Sequence, residues 1–192
     1  MLRKCTASDH EAMQALINDA ARAYKGVIPE DRWHEPYMSM EELQAEIQDG
    51  GVECHGIEQG GRLAGVMGVQ DKMEVTLIRH AYVRTASQGR GLGRQLLRHL
   101  EGLTQKPILI GTWQAATWAI RFYEKNGYAL QSRDTTRSLL RRYWSIPERQ
   151  IETSVVLANW RGGIQDAAAE SSFAAARSQW SEISGQWEGG VR

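Results

Sequence analysis

The residues from Val83 to Leu97, VRTASQGRGLGRQLL, combine two ingredients of an anion site. Glycines at 89, 91 and 93 let main-chain N–H groups converge closely on a ligand, because no side chain stands in the way. The helix predicted to follow offers four unpaired N–H donors and a partial positive charge at its first turn. Such a place suits a phosphate or pyrophosphate. The helix dipole supplies only about 0.3–1 kcal/mol, so direct N–H hydrogen bonds must carry most of the affinity. Tight packing is the competing use of a glycine-rich turn between strand and helix.

Two nucleotide signatures fail on this loop. The dinucleotide fingerprint G-x-G-x-x-G meets Arg94 at its sixth position when counted from Gly89, and Leu96 when counted from Gly91. The G-K-[ST] of a nucleotide-phosphate loop is missing. What stands instead is Gln88-x-x-Gly91-x-Gly93, opening a helix after a long strand. This resembles the acyl-coenzyme A loop, Q/R-x-x-G-x-G/A, of the GNAT N-acetyltransferase superfamily. A second stretch, AIRFYEKNGY, sets Ala119, Tyr123, Gly127 and Tyr128 in a pattern that resembles the family's A-x-x-x-Y-x-x-x-G-F/Y segment. The order of predicted elements over residues 2–157 is similar to the family's as well.

The resemblance implies an N-acetyltransferase that uses acetyl-CoA as co-substrate and no metal. It also implies a GNAT-like α/β fold: a mixed sheet, mostly antiparallel with a splayed parallel pair, flanked by helices, with pantetheine in the splay. Main-chain groups of Tyr82 and Val83 would pair with pantetheine as an added strand does. Gln88, Gly89, Arg90, Gly91, Leu92, Gly93 and Arg94 would surround the pyrophosphate, with Arg90 or Arg94 either adding a charge-assisted contact or standing solvated.

The family reaction is direct attack of an amine on the thioester carbonyl. An alkyl amine with a pKa near 10.4 costs about 4.6 kcal/mol to deprotonate at pH 7, and the leaving thiolate benefits from a proton. Tyr123 matches the family's acid position. Donation from an unperturbed phenol to the thiolate is uphill by about 2 kcal/mol. The same helical spacing suits Tyr123 as a core aromatic beside Ala119 and Phe122, and the two roles coexist. The positions that align with the family's usual base hold Leu77 and Arg79, neither of them a base. His80 is the nearby candidate, although strand alternation turns it to the other face unless a bulge shifts the register. A buried structural histidine is the competing reading, and Glu74 acting through water is another candidate. Where relatives often have an Asn that contacts coenzyme A, this chain has Ala116, so that contact is either absent or taken by Gln114.

The acceptor is expected against KGVIPEDRWHEPYM, residues 25–38, the segment between the first two helices. Trp33, His34 and Tyr37 could line its pocket. Glu30, Asp31 and Glu35 either favour a cationic acceptor or form a solvated surface. Trp113 and Trp118 read as core or pocket wall.

The elements that must position these residues are legible from periodicity. A short strand, Leu2 to Cys5, precedes a capping box at Ser8–Glu11 and a helical run of Met13, Leu16, Ile17, Ala20, Ala21 and Tyr24. A second box, Ser39–Glu42, opens a helix carrying Leu43 and Ile47. Strands are predicted at 52–58, 62–70 and 73–83, the first two joined by a hairpin turn at Gln59-Gly60-Gly61. Leu92, Leu96, Leu100 and Leu103 then define a helix face, followed by a strand at 107–113 and a helix at 115–126. Ile151, Thr153, Val155 and Leu157 alternate as a closing strand with a companion in 128–137. The strand–helix–strand passage at 73–113 favours one parallel pair in a sheet whose hairpins are antiparallel.

Residues 1–158 are therefore expected to form the acetyltransferase domain. Residues 159–192 shift to Ala, Ser and Gly, with Phe173, Trp180 and Trp187 seven apart and Ala176 and Ile183 between them. This pattern predicts a C-terminal amphipathic helix or tail, packed on the domain or dimerising the chain.

With 23 basic and 23 acidic residues the net charge is zero, which argues against a nucleic-acid partner. No apolar run approaches the roughly 20 residues that span a bilayer, and the first residues do not read as a secretion signal. Cys5 and Cys54 alone imply neither a disulfide scaffold nor a metal site. A cytoplasmic enzyme acting on a small-molecule amine is the leading expectation. A coenzyme A sensor or scaffold without turnover, and an acetyltransferase of proteins, are the alternatives; the charge speaks against acetylation of charged transfer RNA.

Overall fold

Two tight turns organise the centre of the molecule. Gly60 and Gly61 both take positive φ, +56° and +73°, as a two-residue hairpin turn requires, and they join β2 (Val52–Gln59) to β3 (Arg62–Lys72). Met73 and Glu74 join β3 to β4 (Val75–Val83). The long strand predicted from 73 starts two residues later, because Met73, at φ +37°, belongs to the turn.

The structure, a computed structural model, describes residues 1–160. With β1 (Leu2–Lys4), β5 (Ile108–Trp113), β6 (Ala129–Leu130) and β7 (Ser154–Asn159), the strands form one sheet in the order β1-β2-β3-β4-β5-β7-β6. β4 and β5 are parallel and every other neighbour is antiparallel. This is the mixed sheet with one parallel pair that the sequence predicts.

Helices α1 (His10–Ala21) and α2 (Met40–Gln48) pack Met13, Leu16, Ile17 and Leu43 onto Val52, Cys54, Leu63 and Val66. A second core joins Leu92, Leu96, Leu97 and Leu100 of α3 (Leu92–Glu101) and Tyr123 of α4 (Thr117–Lys125) to Met67, Ile78, Ile108, Ile110 and Leu157. Fully burying one such Leu or Ile is worth about 1.5–3 kcal/mol, so the two layers fix where α1, α3 and α4 end.

The capping box of α2 forms as predicted: Ser39 Oγ accepts from the Glu42 N–H at 3.1 Å, and Glu42 Oε2 accepts from the Ser39 N–H at 2.8 Å. The first box stands two residues earlier than Ser8–Glu11. Asp9 Oδ2 accepts from the Thr6 N–H at 2.8 Å, and Arg3 of β1 grips the same carboxylate at 2.8 Å.

Leu103 is exposed, because α3 ends at Glu101 and Gly102 caps it. The companion strand is β6, but two helices that the periodicity did not reveal follow it: α5 (Arg133–Tyr143) and α6 (Glu148–Glu152). Thr136, Leu139, Leu140 and Tyr143 form one buried face of α5 at helical spacing, but α5 begins inside the stretch 128–137 that reads as the companion strand, and Ile151 belongs to α6 rather than to the closing strand. Among the described residues no helix is long and apolar enough to cross a membrane. The Phe173–Trp180–Trp187 stripe lies outside the described residues.

Candidate active site

The loop after β4 is shaped by two glycines in the left-handed region, Gly89 at φ +75° and Gly91 at φ +77°; Gly91 is the N-cap of α3. A Cβ at either would meet no protein atom within 4 Å, so left-handed backbone geometry rather than packing demands glycine there. Gly93 differs: a Cβ there would come into ordinary contact with Phe122 of α4 at 3.4 Å. Among the described residues none of the main-chain N–H groups from Gly89 to Arg94 has a hydrogen-bond partner. Six donors converge at one helix start.

The side chains around this cradle brace it. Gln88 Nε2 donates to the Val83 carbonyl at 3.2 Å, and Asp19 of α1 accepts from the Thr85 N–H at 2.8 Å. The Val83 carbonyl keeps a second lone pair. Arg90 and Arg94 are exposed, with no ion pair among the described residues.

From the cradle a cleft runs between β4 and β5. The two strands pair only at Thr76–Ile108, Leu77–Leu109 and Ile78–Ile110, then part. A cavity of about 500 Å³ fills the cradle end of the opening, lined by Tyr82, Val83, Gln88, Gly89, Gly93 and Tyr123 among others. A second, of about 290 Å³, lies beyond it and is lined by His80, Glu46, Tyr82, Thr112, Trp113 and Tyr123 among others. Tyr123 walls both. A third, of about 420 Å³, shares Tyr37, Met38, Glu46, Trp113 and Gln150 with the second and adds Asp31, His34 and Glu42.

His80 reaches this place through a bulge. The pairing of β3 with β4 slips between Val66 and Gly68: Gly68 faces Arg79 and Val66 faces Tyr82, leaving two residues of β4 opposite Met67 alone. His80 takes φ +48°, a left-handed conformation of the kind that costs a non-glycine residue roughly 1–3 kcal/mol and gathers at functional sites. Consecutive residues Arg79 and His80 consequently both touch Glu46 of α2, which a regular strand forbids. His80 Nε2 lies 2.9 Å from Glu46 Oε2, and the Arg79 guanidinium pairs with the same oxygen. The His80 side chain is only 6% exposed. Burial pushes the Glu46 carboxyl upward, but the hydrogen bond and charge of His80 and the charge of Arg79 outweigh it and hold the group below the usual carboxylate range.

Four tyrosines surround the junction of the first two cavities. Burial raises the phenol of Tyr123, with Tyr24 adding to the shift, and the hydroxyl makes no hydrogen bond among the described residues. Tyr82 is raised well above the usual value by burial, then by Tyr37 and Tyr24. Burial, with Tyr37, pushes Tyr24 up to about 12. These phenols stay protonated across the neutral range. Tyr123 is also a core aromatic, edge-on to Phe122 at 5.0 Å and to Tyr128 at 5.9 Å, so both sequence readings of it describe the same side chain.

The acceptor segment divides. Tyr37 and His34 line the outer cavities and stack on each other at 6.2 Å. Trp33 packs behind Tyr37 at 5.6 Å and lines none of the three cavities. Glu35 is paired with Lys25 at 2.6 Å, and Asp31 with Arg149 at 3.4 Å. Glu30 is absent from the cavity walls. The nearest acid to His80 is instead Glu46, which sequence spacing did not single out.

Glu74 sits in the turn before β4, at the opposite end of that strand from the cradle, bound to Arg142 and to the Tyr143 hydroxyl, so it is no candidate base. Gln114 is exposed and lines none of the three cavities, while Ala116 is fully buried. Trp113 donates to the Tyr37 hydroxyl at 3.4 Å, and Trp118 stacks against Tyr24. The unforeseen helices α5 and α6 bring Leu140, Trp144 and Gln150 to the second cavity; Gly111 makes room for Trp144, whose ring lies 3.3 Å from where a Cβ would stand.

Comparison with known proteins agrees with this architecture. The family model described as acetyltransferase (GNAT) domain matches residues 8–141. No curated protein sequence matches the chain. Among solved structures, the PaiA N-acetyltransferase of Thermoplasma acidophilum in complex with coenzyme A superposes with a TM-score of 0.63 at 16% identity, covering 84% of this chain and 98% of that one. The ribosomal-protein-S18-alanine N-acetyltransferase of Escherichia coli gives 0.58 at 18% identity, covering 85% and 96%. A GNAT-family acetyltransferase from Staphylococcus aureus gives 0.62 at 15% identity, covering 83% and 97%.

Proposed function

The chain belongs to the GNAT acetyltransferase family, and from that premise we propose that it moves an acetyl group from acetyl-CoA to the primary amine of a small molecule by direct attack. The observation that carries this reading is the position of Tyr123, which walls both the cleft leading to the cradle and the cavity containing His80. One side chain is thus shared by the two compartments that the reaction must join.

The residues present suit the co-substrate. The free amides of 89–94 would hold its diphosphate, and the edge of β4 that β5 leaves open near Tyr82 and Val83 would receive pantetheine. Bound acetyl-CoA supplies the thioester carbonyl. His80 accepts the proton that the ammonium must lose, meeting a cost of about 4.6 kcal/mol at pH 7. Tyr123 gives its hydroxyl proton to the departing sulfur. Burial makes Tyr123 a weaker acid, but the same dry wall destabilises a thiolate too, so the difference between them shifts less than either value alone. Tyr37 and His34 line the way in for the acceptor, with Trp33 supporting Tyr37 from behind.

A peptide amine is the second reading, suggested by the E. coli neighbour, which is a ribosomal-protein-alanine N-acetyltransferase. One assay separates them: thiol release from acetyl-CoA over a panel of alkyl amines and peptide amino termini, with Tyr123→Phe as control. Turnover with alkyl amines supports the proposal, turnover confined to peptides replaces the acceptor, and coenzyme A binding without release for any amine contradicts the transferase reading.

A further inference from the structure

We propose that Glu46 is a positioning residue for the base: it fixes His80 as the Nε2–H tautomer, so that Nδ1 is the atom that takes the acceptor's proton. The inference rests on the base assignment above and goes beyond it by naming the atom, and the α2 residue that selects it.

The argument starts from a single oxygen. Glu46 Oε2 receives both the Arg79 guanidinium and His80 Nε2, the latter at 2.9 Å. An ionised carboxylate only accepts hydrogen bonds, so the nitrogen facing it must carry a proton. Neutral His80 therefore holds its lone pair on Nδ1, which has no hydrogen-bond partner among the described residues. A mobile side chain would interchange its tautomers. Here the ring is nearly buried and its backbone is locked in the left-handed bulge, so one contact decides the chemistry of the other nitrogen. The low position of the Glu46 carboxyl agrees with its being ionised.

The charged and titratable groups that line the same cavity are Glu46 from α2, Arg79 beside it on β4, Tyr82 from β4, Tyr24 after α1, Tyr37 from the acceptor segment and Tyr123 from α4. Burial keeps Tyr24, Tyr82 and Tyr123 protonated around pH 7, and Arg79 and Glu46 are the charged side chains lining the cavity beside the ring. They oppose each other, and the carboxylate makes the direct hydrogen bond. When Nδ1 gains a proton from the acceptor's ammonium, the positive charge forms next to Glu46. The freed amine pair then makes the C–N bond as the C–S bond breaks; the sulfur leaves with the Tyr123 proton, and the new amide nitrogen gives up its second proton, which restores the Tyr123 hydroxyl.

The test reads the imidazole directly. Side-chain 15N spectra of the histidine-labelled free enzyme should show neutral His80 with its proton on Nε2, assigned by loss of the signal in His80→Gln. In Glu46→Gln, a near-isosteric change that can turn either its oxygen or its amide NH2 toward Nε2, the single-tautomer 15N pattern of His80 should give way to a mixture of Nε2–H and Nδ1–H forms. At pH 7 kcat should drop roughly tenfold while the KM for acetyl-CoA holds, and Glu46→Asp, which restores the charge, should recover part of it. A proton on Nδ1, or an unchanged tautomer pattern in folded Glu46→Gln, overturns the inference. If His80→Gln instead keeps full turnover with an unmoved pH limb, the base assignment fails and this inference with it, while thiol release still upholds the transferase reading.

Discussion

The cofactor cradle and the proton-handling end of the cleft lie on either side of Tyr123, yet they are built in opposite ways. The cradle is contiguous: seven residues, 88–94, supply left-handed glycines and six open amides, and the groups aimed at a ligand are main chain. The other end is assembled from β4, α2, α4, α5 and the segment before α2, and the groups that matter are side chains held by one another. Main-chain donors tolerate almost any side chain but not a change of backbone conformation. Side-chain groups depend on the partners that hold them, and His80 depends on the bulge of β4 as well.

That contrast sets how each region should fail. The largest effect is expected from Tyr123→Phe, which removes only an oxygen: kcat should fall roughly 10²–10⁴-fold, the range for losing a general acid, with coenzyme A affinity unchanged by calorimetry. Equal turnover would remove Tyr123 as the acid. Gly91→Val should do the reverse. It forces a β-branched residue to φ +77°, costing about 1–3 kcal/mol, and puts a side chain where the amides open, so Kd for coenzyme A should rise on the order of 100-fold or more. Because a Cβ at 91 meets no protein atom, the circular dichroism spectrum should stay native; retained binding would refute the cradle.

Tyr37→Ala comes next. It strips a ring from the outer cavities and from the stack with Tyr24 at 5.7 Å, and should raise the acceptor KM about tenfold while leaving coenzyme A binding intact. The smallest effect is on stability. Because the Glu46 carboxyl is lowered by folding, the wild type's advantage over Glu46→Gln is complete above its unfolded value of 4.5 and is lost as pH falls through the lower native value. Near pH 7 that advantage should be about 1 kcal/mol, a Tm difference of roughly 2–4 °C that closes in acid.

The same contrast explains what could be read in advance. The cradle, the strand before it and the helix after it were visible because glycine spacing and leucine periodicity are local signals. Tyr123 was visible because Ala119, Gly127 and Tyr128 flank it at fixed distances. The orientation of His80 was not, since it depends on a bulge produced by the way β3 and β4 pair, and alternation alone turns the ring away. Glu46 lies 34 residues before His80 and carries no local mark; only the packing of α2 brings it there. Trp144 and Gln150 were hidden for another reason: α5 starts three residues after the two-residue β6, inside the stretch that reads as a strand, and α6 is a single short turn.

The account turns on whether the loop amides receive a diphosphate. Backbone 15N–1H spectra recorded during a coenzyme A titration address this most directly. The account predicts saturable shifts concentrated at the amides of Gly89 to Arg94 and at Tyr82 and Val83, all abolished in Gly91→Val. Saturable shifts that cluster elsewhere, with 89–94 unmoved, would contradict it.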